Sequence, residues 1–107
     1  MAIQPISMMD LHDAMSALQP TDLVLDCRAP EEFAEGHVPG SRNIPYDAIA
    51  PHAEDLKQFT HLYIYCRTGR RAGVATATLL GLGLENISFV DGSGMPEWLE
   101  AGFPVEK

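Results

Sequence analysis

The chain has 107 residues and a formal charge of −8, from 15 acidic and seven basic side chains. That length fits a single domain, expected to span 1–107, with a core of its own. The acidic balance argues against nucleic acid or anionic lipid as a general partner, because either needs a basic face. Two cysteines are too few for a disulfide framework, no opening stretch has a secretion-signal pattern, and no apolar run nears the ~20 residues of a membrane span. The expectation is a cytoplasmic protein with no membrane partner.

A first strand is expected at 4–6, with Ser7 as the N-cap of a helix reaching residue 18. Met8, Leu11, Met15 and Leu18 share one face of that helix and read as core packing. Gln19-Pro20-Thr21 breaks it, and an apolar strand follows at 23–27. Pro30, with Glu31 and Glu32 behind it, predicts a short helical stretch to Glu35, closed by Gly36. Val38-Pro39-Gly40 is a turn, and 42–44 a brief strand cut off by Pro45. Residues 46–56 read as helical but interrupted by Pro51. A β-prone run at 62–65, a small-residue helix at 71–82 and a last strand at 86–90 come next. A short helix carrying Trp98 then ends at Gly102, and Phe103-Pro104-Val105 folds back on the body.

Strands that alternate with helices and read as continuous apolar runs indicate an α/β fold with a mainly parallel sheet covered on both faces. Ligands of such sheets bind beyond the carboxyl ends of the strands. Two segments qualify: Asp26-Cys27-Arg28 and Cys66-Arg67-Thr68-Gly69-Arg70-Arg71. If the two strands are neighbours, Arg28 joins the three loop arginines around Cys66.

Cys66 sits where a strand gives way to a helix, and the unpartnered N–H groups of a helix start favour a negative charge such as a thiolate. Arg67, Arg70 and Arg71 supply a local basic patch on an acidic chain, felt over a Debye length of ~8 Å. Cations at a helix N-terminus oppose its dipole unless an anion lies among them. Gly69 is free to take φ > 0 and turn successive N–H groups into an anion nest. Helix starts and neighbouring cations both lower a thiol pKa, so Cys66 is the candidate nucleophile and needs no histidine as base. Cys27 ends an apolar strand and reads as a small core residue. Asp26 is expected to anchor backbone or an arginine, and His37 to make a structural hydrogen bond in its turn. His12, His52 and His61 carry no signal.

The six-residue loop from Cys66 to Arg71 resembles the active-site loop of the rhodanese family. Asp26-Cys27-Arg28 with Glu32 resembles that family's Asp-x-Arg element, and the run from Gly36 to Pro45 its Gly-His-Ile-Pro-Gly-Ala signature, with Ser41 in place of alanine. Trp98, Gly102, Pro104 and Val105 look like its C-terminal element, although Gly92-Ser93-Gly94 stands where paired glycines are usual. The resemblance implies a three-layer rhodanese-like α/β domain whose five-stranded, mainly parallel sheet has helices on both faces.

It also implies sulfurtransfer in two half-reactions. Cys66 would take the outer sulfur of thiosulfate or a persulfide donor as a Cys66 persulfide, then pass it to a thiol, cyanide or a protein cysteine. Arg67, Thr68, Gly69, Arg70 and Arg71 would form the cradle, with Arg67, Arg70 and Arg28 attracting the anionic donor. Arg71 would alternatively tie the loop to a carboxylate, and Cys27 would alternatively form a disulfide with Cys66 during transfer. No metal and no cofactor are called for. Two rivals stand beside this reading. A non-enzymatic persulfide carrier or protein-binding module would keep the same loop. A phosphatase or arsenate reductase would have five residues between cysteine and arginine, where this chain has only Arg67, Thr68, Gly69 and Arg70.

Overall fold

A computed structural model of the chain describes residues 3–107. Among them are five strands: β1 (Ile3–Ile6), β2 (Asp22–Asp26), β3 (Arg42–Asn43), β4 (His61–Tyr65) and β5 (Ile87–Val90). They form one sheet in the order β1-β5-β4-β2-β3, with every pairing parallel. The helices are α1 (Met8–Met15), α2 (Pro30–Glu35), α3 (Ala53–Leu56), α4 (Arg70–Gly81) and α5 (Met95–Glu100).

Because side chains alternate along a strand, each apolar run feeds two core layers. Leu25, Leu62, Ile64 and Ile87 pack with Ala53 and Leu56 of α3 and with Ala72, Ala75 and Leu79 of α4. Val24, Tyr65 and Val90 pack with Met8 and Leu11 of α1 and with Met95 and Trp98 of α5. Each fully buried leucine or isoleucine contributes about 1.5–3 kcal/mol, so both layers are needed to hold a sheet this small. The tail closes the second layer: Trp98 Nε1 donates to the Pro104 carbonyl at 2.7 Å, and His37 and Glu106 exchange backbone hydrogen bonds at 2.9 Å.

Local chemistry moves several expected boundaries. Ser7 and Asp10 start α1 with reciprocal bonds, the Asp10 N–H donating to Ser7 Oγ and the Ser7 N–H to Asp10 Oδ2. The helix stops at Met15 rather than 18, with Ser16 as its C-cap. Ser16 Oγ meanwhile donates to the Asp13 carbonyl at 3.0 Å, giving one of the last acceptors a partner. Leu18 still reaches the core from the turn. Pro51, lacking an N–H, divides 46–56 into two 3-10 turns, Tyr46–Ala48 and Ala50–His52, and the short α3. Asn86, at φ 59°, lies in the left-handed region and delays β5 to Ile87.

Candidate active site

Neighbouring strands β2 and β4 bring the two segments together. Asp26 lies in register with Tyr65, so the chain leaves both strands at the same edge of the sheet. Cys66 follows Tyr65 directly and is fully buried. Its Sγ accepts the Gly69 N–H at 3.0 Å and the Ala72 N–H at 3.4 Å. Helix α4 starts at Arg70 with Gly69 as its N-cap, a residue with no side chain to offer. The sulfur therefore occupies the seat that a serine or aspartate side chain fills in other helices.

Two glycines hold the loop in that shape. Gly69 has φ 101°, and a Cβ there would meet the Gly92 nitrogen at 2.8 Å. Gly94 has extended backbone, but a Cβ on it would overlap the carbonyl oxygens of Cys66 and Arg67. The Met95 N–H then donates to the Cys66 carbonyl at 3.0 Å. The turn Gly92-Ser93-Gly94 thus clamps the cysteine loop main chain against main chain. Ser93 adds an anchor, since its Oγ accepts the Met8 N–H at 3.0 Å and ties the clamp to the start of α1.

The Cys66 thiol is pulled down to about 5, by the Cys27 thiol beside it first and then by the N–H groups of Ala72, Gly69 and Thr68, against the upward push of burial. Cys27 shifts the other way, pushed up by its interaction with Cys66 and by its own burial. Within the pair the proton is thus favoured on Cys27 and the negative charge on Cys66.

The arginines separate into braces and free cations. Arg71 makes a two-pronged bond to Glu32 of α2, at 2.6 and 3.0 Å. The guanidinium and the Ala29 N–H hold Glu32 down at about 2. Arg28 is buried against the carboxylate of Asp26, with contacts of 2.6 to 3.0 Å, and donates to the Gly36 carbonyl at 2.8 Å. Asp26 also accepts the Tyr65 hydroxyl at 2.7 Å. Arg67, Thr68 and Arg70 are exposed, and neither Arg67 nor Arg70 has a carboxylate partner among the described residues. A cleft of about 350 Å³ lies beside the loop, between Arg28, Glu32 and Glu35 on one wall and Arg67, Met95, Pro96 and Leu99 on the other. His37 lies outside it, stacked on Phe33 at 3.6 Å, with Nδ1–H donating to the Phe33 carbonyl. Among the described residues no cluster of His, Cys, Asp and Glu is arranged to hold a metal, and no helix is long and apolar enough to cross a membrane.

Three participants went unassigned from sequence. Tyr65 reads only as a strand residue, and its link to Asp26 follows from the register. Glu32 is visible as part of a motif but not as the partner of Arg71. Gly94 is visible as a departure in the turn but not as the residue that touches the loop.

A cysteine sulfur seated on main-chain N–H groups, beyond the carboxyl ends of a parallel sheet and beside arginines without a carboxylate partner among the described residues, is the site of an α/β domain of the rhodanese type. Residues 7–101 match the rhodanese-like domain, and the chain belongs to that family. It is 30% identical to the thiosulfate:glutathione sulfurtransferase of Saccharomyces cerevisiae, covering 94% of this chain and 81% of that protein. It is 33% identical to a putative sulfur carrier protein, YrkF, of Bacillus subtilis, over 70% of this chain but only 40% of that longer protein. The crystal structure of a rhodanese-related protein from Thermoplasma volcanium superposes with a TM-score of 0.80 at 32% identity, covering 96% of this chain and 97% of that one. Sulfurtransferases and sulfur carriers are thus both among its relatives.

Proposed function

We propose that the protein is a sulfurtransferase that moves a sulfane sulfur from thiosulfate or a persulfide donor to a thiol, cyanide or protein cysteine, through a persulfide on Cys66. The observation that carries this reading is the seat of the Cys66 sulfur, which accepts the Gly69 and Ala72 N–H groups, contacts that favour the thiolate. Attack on the outer sulfur of thiosulfate breaks its S–S bond and releases sulfite. The persulfide then carries its charge one atom further out, on the outer sulfur. A second nucleophile takes the outer sulfur and returns the thiolate, so ping-pong kinetics are expected. Arg67 and Arg70 attract the anionic donor, whereas Arg71 and Arg28 brace the loop and the strand end.

Two features favour sulfur over a phosphoryl group. The loop from Cys66 to Arg71 is one residue shorter than a phosphatase loop, and Arg71 is turned away to Glu32 instead of being free to grip an oxyanion. The carrier reading differs only in the last step, with a protein cysteine as acceptor, and the relative named as a putative sulfur carrier favours keeping it.

Intact-mass spectrometry after incubation with thiosulfate tests the proposal. The wild type should gain one sulfur atom that cyanide removes, and Cys66→Ser should gain none. Absence of the adduct together with turnover of an aryl phosphate would overturn it in favour of a phosphatase.

A further inference from the structure

Cys27 has no part in the transfer just described, yet the sheet sets it beside the reacting sulfur. The β2–β4 ladder ends on the pair Asp26–Tyr65, to which the Cys27 N–H bond to the Tyr65 carbonyl at 3.1 Å belongs, and the Cys27 Sγ donates to that same carbonyl at 3.4 Å. Residues in register on neighbouring strands point to the same face. Asp26 and Tyr65 accordingly meet on one side of the sheet, at 2.7 Å, while Cys27 and Cys66 share the core layer beneath α4 on the other. Neighbouring strands run about 4.8 Å apart. Cys27 and Cys66 directly follow the paired residues Asp26 and Tyr65, and a strand spacing of that size lies inside the window of about 4.4–6.8 Å across which a disulfide joins two Cα atoms. Both thiols are free, and neither is exposed to solvent.

From this juxtaposition we propose that Cys27 is a second reacting thiol, which displaces hydrosulfide from the Cys66 persulfide and closes a Cys27–Cys66 disulfide. The inference rests on the persulfide of the proposed function. Loading moves the negative charge from the Cys66 Sγ to the outer sulfur, removing from beside Cys27 the charge that kept its proton in place. That proton passes to the outer sulfur, and the Cys27 Sγ attacks the Cys66 Sγ. The bond between inner and outer sulfur breaks, and its electron pair leaves with the outer sulfur as hydrosulfide. The two cysteines are oxidised by two electrons and the sulfane sulfur is reduced by two. An external thiol or dithiol reopens the disulfide by exchange.

The consequence is a second product. With an acceptor present the sulfur is handed on. Without one it is shed as sulfide, and the nucleophile is stored as a disulfide instead of a persulfide open to over-oxidation.

The test uses the reduced full chain, freed of reductant and given one equivalent of thiosulfate with no acceptor. Intact mass, non-reducing peptide mapping and trapped sulfide are followed in the wild type, Cys27→Ala and Cys27→Ser. The wild type should gain one sulfur, then pass to a species two hydrogens lighter than the reduced chain. Its Cys27 and Cys66 peptides should be linked, and one sulfide should be released per chain. Both variants should stop at the one-sulfur adduct, and forming it shows that they are folded. An adduct that lasts as long in the wild type as in Cys27→Ala, with no linked peptides, would overturn the inference and leave the proposed function standing. Absence of an adduct in all three proteins would overturn both. If the variants alone fail to load, the wild-type peptide map decides.

Discussion

Replacing Gly94 with alanine adds one methyl group at a point where no side chain can yield. The new Cβ would overlap the carbonyls of Cys66 and Arg67, and real Cβ atoms keep at least 3.0 Å from such neighbours. Gly94 has extended backbone that alanine adopts freely, so the effect is purely steric. Relief requires the cysteine loop and the turn before α5 to separate by roughly an ångström, at the upper end of the about 1–3 kcal/mol that overpacking costs. That separation strains the Met95 N–H bond to the Cys66 carbonyl, now 3.0 Å. A loss of 2–3 kcal/mol lowers the melting temperature of a domain this size by roughly 10 °C or more. Misplacing the reacting atom by about an ångström slows chemistry about 100-fold. Thermal melts and the rate of sulfur loading from thiosulfate, followed by intact mass, measure both effects. A Gly94→Ala protein that melts and loads like the wild type would refute the claim that this clamp sets the loop.

The remaining predictions concern charge. Because Cys66 titrates at about 5, its alkylation by iodoacetamide should stay on a plateau from neutral pH downward and fall to half near that value. The sign is that of a depressed acid, with the thiolate lost as pH falls through 5, and a midpoint at the ordinary thiol value would contradict the joint lowering by Cys27 and the loop N–H groups. Asp26→Asn strands the buried Arg28 guanidinium without its carboxylate and should cost about 3–5 kcal/mol in urea denaturation. Arg67→Ala should slow loading from thiosulfate about tenfold, the effect of about 1.4 kcal/mol, while sparing an uncharged persulfide donor and the melting temperature. Glu32→Gln should do the reverse, lowering stability by about 1 kcal/mol with like effects on both donors.

Much of the fold can be read from residue order. Apolar runs bounded by Pro20, Pro45 and the glycine turns mark the strands, and continuous rather than alternating hydrophobicity marks the sheet as parallel. Local pattern does not reveal which strand lies beside which, and the site depends on that. Only the adjacency of β2 and β4 brings Tyr65 to Asp26 and Cys27 to Cys66. The division of the arginines was partly legible, since a tie to a carboxylate was one reading of Arg71, but its partner Glu32 was not. Arg71 and Arg70 are neighbours in sequence, but helical geometry sends one to Glu32 and leaves the other in solvent. Gly94 was opaque for a different reason: its φ of 175° is open to any residue, and the demand for glycine comes from a loop more than twenty residues away in sequence.

The cradle around Cys66 contains no side chain of the loop that forms it. Amide directions are fixed by Gly69 and Gly94, while Arg67, Thr68 and Arg70 project outward and contribute nothing to the shape. The chain therefore keeps its reactivity and its clientele in separate places. On the proposed function, substitutions at the three outward positions would retune donor and acceptor preference while leaving the main-chain seat of the sulfur as it is, so one scaffold of this kind could be redirected among sulfur partners through small surface changes.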